Sequence, residues 1–71
     1  MVQKGVYIHF KGGRYVVMDE ATHTETGEEL VIYEAVNPGR GLRKTWARPA
    51  TMFQDEVEHE GKKVPRFRLL P

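Results

Sequence analysis

The first residues of the chain alternate between two kinds of side chain. Val6, Ile8 and Phe10 occupy one parity, and Tyr7 and His9 occupy the other. A period of two residues is typical of a β-strand that buries one face. We predict that the parity of Val6 faces the core and that Tyr7 and His9 share the opposite face.

A turn and a loop follow this strand. Gly12 and Gly13 accept the positive φ that a hairpin turn requires. Residues 14–19 are rich in β-branched and aromatic side chains, so they are predicted to return beside the first strand. The polar residues 22–27 then form a loop.

The middle of the chain predicts the central strand of the fold. Residues 28–36 carry apolar side chains on both parities, which indicates a strand that is buried on both faces or strongly bent. A proline and two glycines interrupt residues 37–44, and we expect this loop to be mobile without a ligand because little burial opposes its entropy. Residues 45–48 predict a short strand, and Pro49 suits the first position of a helical turn that ends at Phe53.

The C-terminal part predicts a second hairpin, with strands at 57–59 and 64–67, in which Pro65 confines the last strand to an edge. Roughly five or six short strands with frequent turns indicate an all-β fold. We predict a small SH3-like barrel of antiparallel strands with one short helical turn, because closure removes exposed strand edges. An OB-type barrel is the alternative. We expect all 71 residues to form one domain.

The barrel needs a core, and we assign to it the apolar side chains that alternate inward or close its open end. The residues expected to be most buried are Phe10, Val17, Ile32 and Phe53, and Met52 and Phe67 complete the set.

Composition narrows the function classes. A chain of 71 residues, of which 39% are hydrophobic and 30% charged, is too short for a two-domain enzyme. The absence of cysteine excludes a disulfide framework and a thiolate zinc site. Apolar runs stay far below the roughly 20 residues that cross a bilayer, and no apolar stretch follows the first residues, so we expect a cytoplasmic protein.

Charge is segregated along the chain although its net value is +1. Basic and acidic blocks alternate, and on antiparallel strands they would face each other in weak exposed pairs. We favour that structural role, because a nucleic-acid-binding protein more often carries one sign over a whole face. The alternative is a nucleic-acid-binding barrel that uses its basic loop and tail: Arg40, Arg43, Lys44, Lys62, Lys63, Arg66 and Arg68.

Trp46 and Arg48 have the same parity and therefore point to one side of their strand. A guanidinium beside an indole stacks on it and presents a donor fork to an anion. The competing interpretation makes Trp46 the main core residue and pairs Arg48 with a glutamate of the preceding strand. Tyr7, Tyr15 and Tyr33 are either stacking platforms for bases or half-buried strand residues.

The histidines His9, His23 and His59 are candidate general bases, and their spacing does not predict a metal site. If the face of Tyr7 and His9 continues across the sheet toward His23 and Glu25, a histidine oriented by a carboxylate would suit a small hydrolase. We favour the alternative that residues 24–26 bond to their own loop. His59 is expected in a turn or at the surface.

Several short motifs follow one another in a specific order. They are Tyr7-x-His9-Phe10-Lys11-Gly12, Tyr15-x-Val17, Ala21-x-His23-Thr24-Glu25-Thr26, Val31-x-Tyr33, Trp46-x-Arg48-Pro49-x-x-Met52-Phe53, Gly61 and Pro65-Arg66-Phe67. In this order they resemble a family of small bacterial proteins catalogued as a domain of unknown function. The resemblance spans almost the whole chain and implies no activity or catalytic residue. Residues 37–44 and Ala47 depart from the expected pattern.

These residues together predict a non-enzymatic binding module that recognises a small anionic or aromatic ligand or a peptide. No cofactor, metal ligand or catalytic residue is predicted. The expected ligand-binding residues are Tyr7, His9, His23, Glu25, Trp46 and Arg48.

Overall fold

The computed structural model describes residues 2–36 and 44–71. This part of the chain holds seven strands and one helical turn: β1 (Gly5–His9), β2 (Arg14–Thr22), β3 (Glu29–Ala35), β4 (Thr45–Pro49), α1 (Ala50–Phe53), β5 (Glu56–His59), β6 (Lys62–Pro65) and β7 (Phe67–Leu69). The all-β class and the single helical turn are confirmed, with more strands than predicted. No helix among the described residues has the length and apolar character that crossing a membrane requires.

The strands form a curled sheet and a separate hairpin. The larger sheet has five strands in the order β4-β3-β2-β1-β7, and β5 pairs with β6 in the smaller one. Tyr33 on β3 and Phe67 on β7 would lie about 14 Å apart in a flat sheet, yet their ring centroids are 5.8 Å apart. The sheet therefore curls strongly. Within the described strands no ladder joins β4 to β7, so the sheet stays open along that edge; the SH3-like barrel was predicted to be closed or nearly closed.

A β-bulge contributes to this curl. The register of β2 against β3 shifts between Val17 and Asp19, which leaves Met18 as an extra residue. Such bulges increase the local twist and bend the strand that carries them.

The first hairpin confirms the turn at the two glycines. Ile8 lies opposite Arg14, and the His9 amide donates to the carbonyl of Gly13 at 2.6 Å. Gly12 has φ = 104°, a conformation that glycine adopts without steric cost. The register also places Tyr7 opposite Tyr15, so both side chains lie on the same face of the sheet.

The prediction of which face of β1 is buried was wrong. Tyr7 is 8% exposed, whereas Val6 is 36% exposed. Tyr7 is buried at little cost because its hydroxyl donates to the Gln3 carbonyl at 2.7 Å, and its ring meets that of Phe53 edge-on at 5.2 Å. Burial raises the pKa of Tyr7. Phe10 lies beyond the end of β1 and is half-buried.

The core lies between the inner face of the five-stranded sheet and α1. Phe53 of α1 stacks on Phe67, with ring centroids 4.2 Å apart and planes 3° apart. The predicted burial of Val17, Phe53 and Phe67 is confirmed. The buried cluster consists of Val2, Tyr7, Val17, Val31, Tyr33, Phe53 and Phe67.

Two other core assignments were wrong for geometric reasons. Ile32 is half-buried, because the neighbouring positions Val31 and Tyr33 point inward and leave it on the outer face. Met52 is 46% exposed, since in this helix of four residues Phe53 is buried and Ala50 packs against the core. Pro49 caps α1 with an extended ψ of 135° and is not its first helical residue.

The loop predicted over residues 37–44 lies outside the described residues apart from Lys44. Arg40 and Arg43 belong to that part of the chain, so their predicted phosphate contacts are not placed.

Candidate functional site

An aromatic cup opens at one end of the inner face. It is a cavity of about 230 Å³, and every strand of the five-stranded sheet contributes to its wall. We use the name aromatic cup for the surface formed by His9, Tyr15, Tyr33, Trp46, Arg48 and Phe67.

Strand register explains why these side chains meet. Trp46 lies opposite Tyr33 across β4 and β3, and His9 lies opposite Phe67 across β1 and β7. Directly opposed residues of antiparallel strands point to the same face. The cup and the core therefore occupy the same face of the sheet. Phe53 of α1 packs against Phe67 and Tyr33 toward the core, and the lining of the cup includes no residue of α1.

Tyr15 is the centre of the ring network. It meets Tyr33 and Phe67 at centroid distances of 5.7 Å, and it meets Trp46 at 6.0 Å. All three arrangements are edge-on, a geometry that aromatic pairs favour. Such pairs fix the wall of the cup before any ligand arrives.

Trp46 lies at the rim of the cup and is 39% exposed. The interpretation that made it the main core residue was therefore wrong. Trp46 belongs to β4, which is an edge strand of the five-stranded sheet. The rings of Phe53 and Phe67 occupy the centre of the core instead. The prediction that Trp46 and Arg48 share one side of their strand is confirmed by their common place in the cup.

Arg48 is held in place by two aromatic residues. Its Nε donates to the Tyr33 hydroxyl at 3.2 Å, and its Cζ lies 5.9 Å from the ring centroid of Phe67. The predicted partner, a glutamate of β3, was wrong: Glu34 lies on the outer face, where it accepts from the Thr45 hydroxyl at 2.8 Å. Within the described residues, no hydrogen bond or ion pair occupies the Nη atoms of Arg48.

His9 lies close to several positively charged side chains. Its Nδ1 accepts from the Lys11 amide at 3.1 Å, and its ring meets Phe67 edge-on at 4.9 Å. Burial lowers the pKa of His9, and the nearby cations Arg66, Arg48 and Lys11 lower it further. Protonation is thus opposed both by burial and by the charge already present.

His23 and Glu25 do not join the cup. Strand β2 runs for nine residues from Arg14, next to the His9 turn, to Thr22, a length of more than about 20 Å. His23 follows at the far end, where its Nδ1 accepts from the amides of Glu25 at 3.1 Å and Thr26 at 3.4 Å. These contacts support the interpretation in which the loop residues shape their own loop.

Tyr7, His59 and the basic residues of the tail also lie outside the cup lining. Tyr7 belongs to the core under α1. His59 ends β5 and contacts Glu60 at 3.2 Å, as expected of a surface position. Lys63 lies opposite Glu58 across the β5–β6 hairpin, and Arg68 lies opposite Ile8, on the outer face.

Tyr15, Tyr33 and Phe67 are the cup residues that the predicted ligand-binding set omitted. Tyr15 and Tyr33 are possible stacking platforms by residue type, but only the register between the strands shows that Tyr33 shares a face with Trp46. Phe67 was assigned to the core, to which it also belongs. In the described part of the chain, no group of three potential metal-ligating side chains converges.

Comparison with known proteins places this architecture in a family. A family model described as a protein of unknown function (DUF1653) matches residues 5–69. The crystal structure of a DUF1653 protein from Bordetella bronchiseptica is similar, with a TM-score of 0.85 and 29% identity over 97% of this chain and 87% of that chain. No curated protein matches the chain. The matched residues include all seven described strands and the entire cup, so the resemblance seen in the motifs is confirmed, and the chain belongs to the DUF1653 family of proteins of unknown function.

Proposed function

We propose that this protein is a small non-enzymatic binding module whose aromatic cup holds a compact anionic ligand with a flat apolar body. The observation that carries the proposal is the placement of Arg48. Its guanidinium is fixed by Tyr33 and Phe67 inside an aromatic cavity, with its Nη atoms unoccupied by described residues. A planar donor fork among aromatic walls suits an anion attached to a flat group.

Electrostatics supports an anionic ligand. Burial lowers the pKa of His9, and the cations Arg66, Arg48 and Lys11 lower it further, so three positive charges lie close enough to act on this wall of the cup. None of the residues that line the cup is acidic. An anion entering the cup would therefore meet attraction without a competing carboxylate in the lining.

Size restricts the ligand. The cup volume of about 230 Å³ lies below the roughly 300–1,000 Å³ of pockets for drug-sized molecules. It suits a small metabolite or a single side chain of a peptide. Both sources offer the same chemistry, a flat group that carries a negative charge.

The lining favours binding over hydrolysis. Hydrolysis by a histidine base needs a nucleophile or a held water and donors for the developing negative charge. The hydroxyls of the cup lining are phenolic, from Tyr15 and Tyr33, and its lining includes no aliphatic hydroxyl or carboxylate. The Nδ1 of His9 is already engaged by the Lys11 amide.

The nucleic-acid alternative has weaker support. A base would stack on Trp46, but phosphates need a continuous basic surface beside it. Lys63 faces Glu58 across the smaller sheet, and Arg68 lies on the outer face of the larger one. These two described cations therefore do not form a continuous basic surface beside the cup.

A heteronuclear NMR titration tests the proposed function. Trp46 is the only tryptophan, so its indole N–H gives a single assigned probe at the rim. Benzoate, an acidic aromatic peptide and single-stranded DNA would be added separately. Benzoate and the peptide are expected to shift the signals of Trp46, His9 and Tyr15.

Two variants sharpen the titration. Arg48→Gln should strongly weaken benzoate binding, so that a given concentration of benzoate causes much smaller shifts. Arg14→Gln is the matched control, because Arg14 is exposed and lies opposite Ile8 on the outer face. Benzoate shifts confined to the loop at 23–28 or to the tail, or equal losses in both variants, would contradict the proposed function. A steep loss of DNA binding with salt, at higher affinity than benzoate, would favour the nucleic-acid alternative.

A further inference from the structure

We infer that the cup selects a carboxylate and that Tyr33 is the positioning residue for this selection, because its hydroxyl turns the Nη edge of Arg48 toward the ligand. This inference rests on the proposed function of the aromatic cup and adds to it the chemical class of the anion.

Tyr33 is a rigid support for Arg48. It is buried, and its ring is edge-on to Phe53 at 5.6 Å and to Phe67 at 5.8 Å. A ring packed between core aromatics has little freedom to move its hydroxyl. The hydrogen bond from Nε of Arg48 at 3.2 Å therefore restrains the guanidinium plane as well as its position.

The Nε contact determines how Arg48 meets an anion. A guanidinium offers five N–H donors in a fixed planar fork. With Nε committed to Tyr33, the side-on mode that uses Nε and one Nη is occupied. The end-on edge, with one N–H from each Nη, remains for the two oxygens of a carboxylate.

The cup matches a carboxylate better than a phosphate. A phosphate monoester carries a charge of about −1.5 to −2 and three strong acceptor oxygens. Among the described residues the cup lining supplies one guanidinium, that of Arg48, whereas Arg66 and Lys11 act on His9 from outside the lining. A carboxylate is planar and monoanionic, so it satisfies one end-on fork and continues the plane of an aromatic body between the ring walls.

The test compares benzoate, benzamide and phenyl phosphate in four proteins: the natural chain, Tyr33→Phe, Arg48→Gln and the double variant. Affinity is read from the Trp46 indole N–H. We expect benzoate to bind the natural chain about tenfold more tightly than either other probe. Tyr33→Phe should weaken benzoate about threefold to tenfold, as for the net loss of one ordinary hydrogen bond, and leave benzamide nearly unchanged.

The double variant separates positioning from packing. If Tyr33 acts through Arg48, Tyr33→Phe should have no further effect on benzoate once Arg48→Gln is present. The Arg48 Nε–H signal of Tyr33→Phe should also shift without any ligand. Tyr7→Phe is the matched control, because it removes another buried hydroxyl on the same face whose partner is the Gln3 carbonyl. It should leave the ratio of benzoate to benzamide affinity unchanged.

The outcomes distinguish this inference from the proposed function. A benzoate-to-benzamide ratio that survives in Tyr33→Phe would overturn the role of Tyr33 while leaving the cup as a binding site. Tighter binding of phenyl phosphate than of benzoate would overturn the carboxylate class. If no probe shifts the Trp46 signal, the proposed function fails and this inference fails with it.

Discussion

The ring of Phe67 stacks on that of Phe53 at 4.2 Å and also lies 5.9 Å from Cζ of Arg48. One side chain thus belongs both to the buried core and to the wall of the aromatic cup. The site is supported by the packing that stabilises the fold, so changes in the core are expected to reach the cup.

Replacement of Phe53 by alanine should remove this support. Phe53 is one of the largest fully buried side chains of the described residues, and truncation of a core aromatic lowers the free energy of unfolding by about 3–5 kcal/mol. Urea denaturation should show a largely unfolded chain, since a domain this small has little stability to lose. Met52→Ala in the same helical turn is the control. Its side chain is exposed, so a change below about 0.5 kcal/mol is expected, and equal losses in the two variants would contradict the assigned core.

Replacement of Tyr7 by phenylalanine tests the corrected orientation of β1. The variant loses the hydrogen bond to the Gln3 carbonyl, and we expect the free energy of unfolding to fall by about 0.5–1.5 kcal/mol. Val6→Ala, on the more exposed face of β1, should lower the free energy of unfolding less than Tyr7→Ala does. The opposite order in urea denaturation would restore the orientation that the alternating pattern first suggested.

The protonation of His9 as a function of pH reports the electrostatics of the cup. Burial and then Arg66, Arg48 and Lys11 hold the pKa of His9 below its ordinary value, which is about 6.5. Between the pKa of His9 in the folded protein and about 6.5, the unfolded chain binds more protons at His9 than the folded chain does. The free energy of unfolding therefore decreases as the pH falls through that window. NMR titration of the His9 ring should show the lowered pKa directly.

Two changes should raise the pKa of His9. Arg48→Gln removes one cation, and a bound carboxylate introduces an opposite charge, so each should raise the pKa of His9. Affinity for the carboxylate should then increase as the pH decreases toward the pKa of His9. A His9 titration that is unaffected by both changes would mean that its ring does not sense the charge in the cup.

A substitution at Gly13, in the hairpin turn, tests the ring network of the cup. A Cβ atom at this position would lie 3.2 Å from the Tyr15 hydroxyl oxygen and from its Cε2. Gly13→Ala should therefore displace the Tyr15 ring by a few tenths of an ångström and change the chemical shifts of Trp46. The fold should persist with a stability change below about 1 kcal/mol. Unaltered Tyr15 and Trp46 signals would contradict the ring network described for the cup.

Local patterning was sufficient to predict much of the fold. The alternation in β1, the glycine turn and the strand at residues 45–48 depend on neighbouring residues, and all three are present in the structure. Alternation does not reveal which parity is buried when one side carries Val6 and the other Tyr7. A tyrosine ring buries more apolar area than a valine, and the Gln3 carbonyl satisfies its hydroxyl.

The candidate site was predictable only in part. Trp46 and Arg48 were paired correctly because they share a strand. Phe67 and His9 come together through the pairing of the last described strand with the first, and strand order of this kind is not encoded in local patterns. His23 lies far from His9 because the whole length of β2 separates them, a distance that the loop residues around His23 do not encode.

The central claim is that the aromatic cup holds a small anion with a flat body, and intermolecular NOEs to bound benzoate test it most directly. Contacts are predicted between benzoate protons and the ring protons of Trp46, Tyr15 and Phe67, and they should weaken strongly in Arg48→Gln. A different concavity lies beside the β5–β6 hairpin, where Phe10 and Val64 are among the lining residues. NOEs to Phe10 and Val64 in place of the cup, or contacts that persist unchanged in Arg48→Gln, would contradict the account.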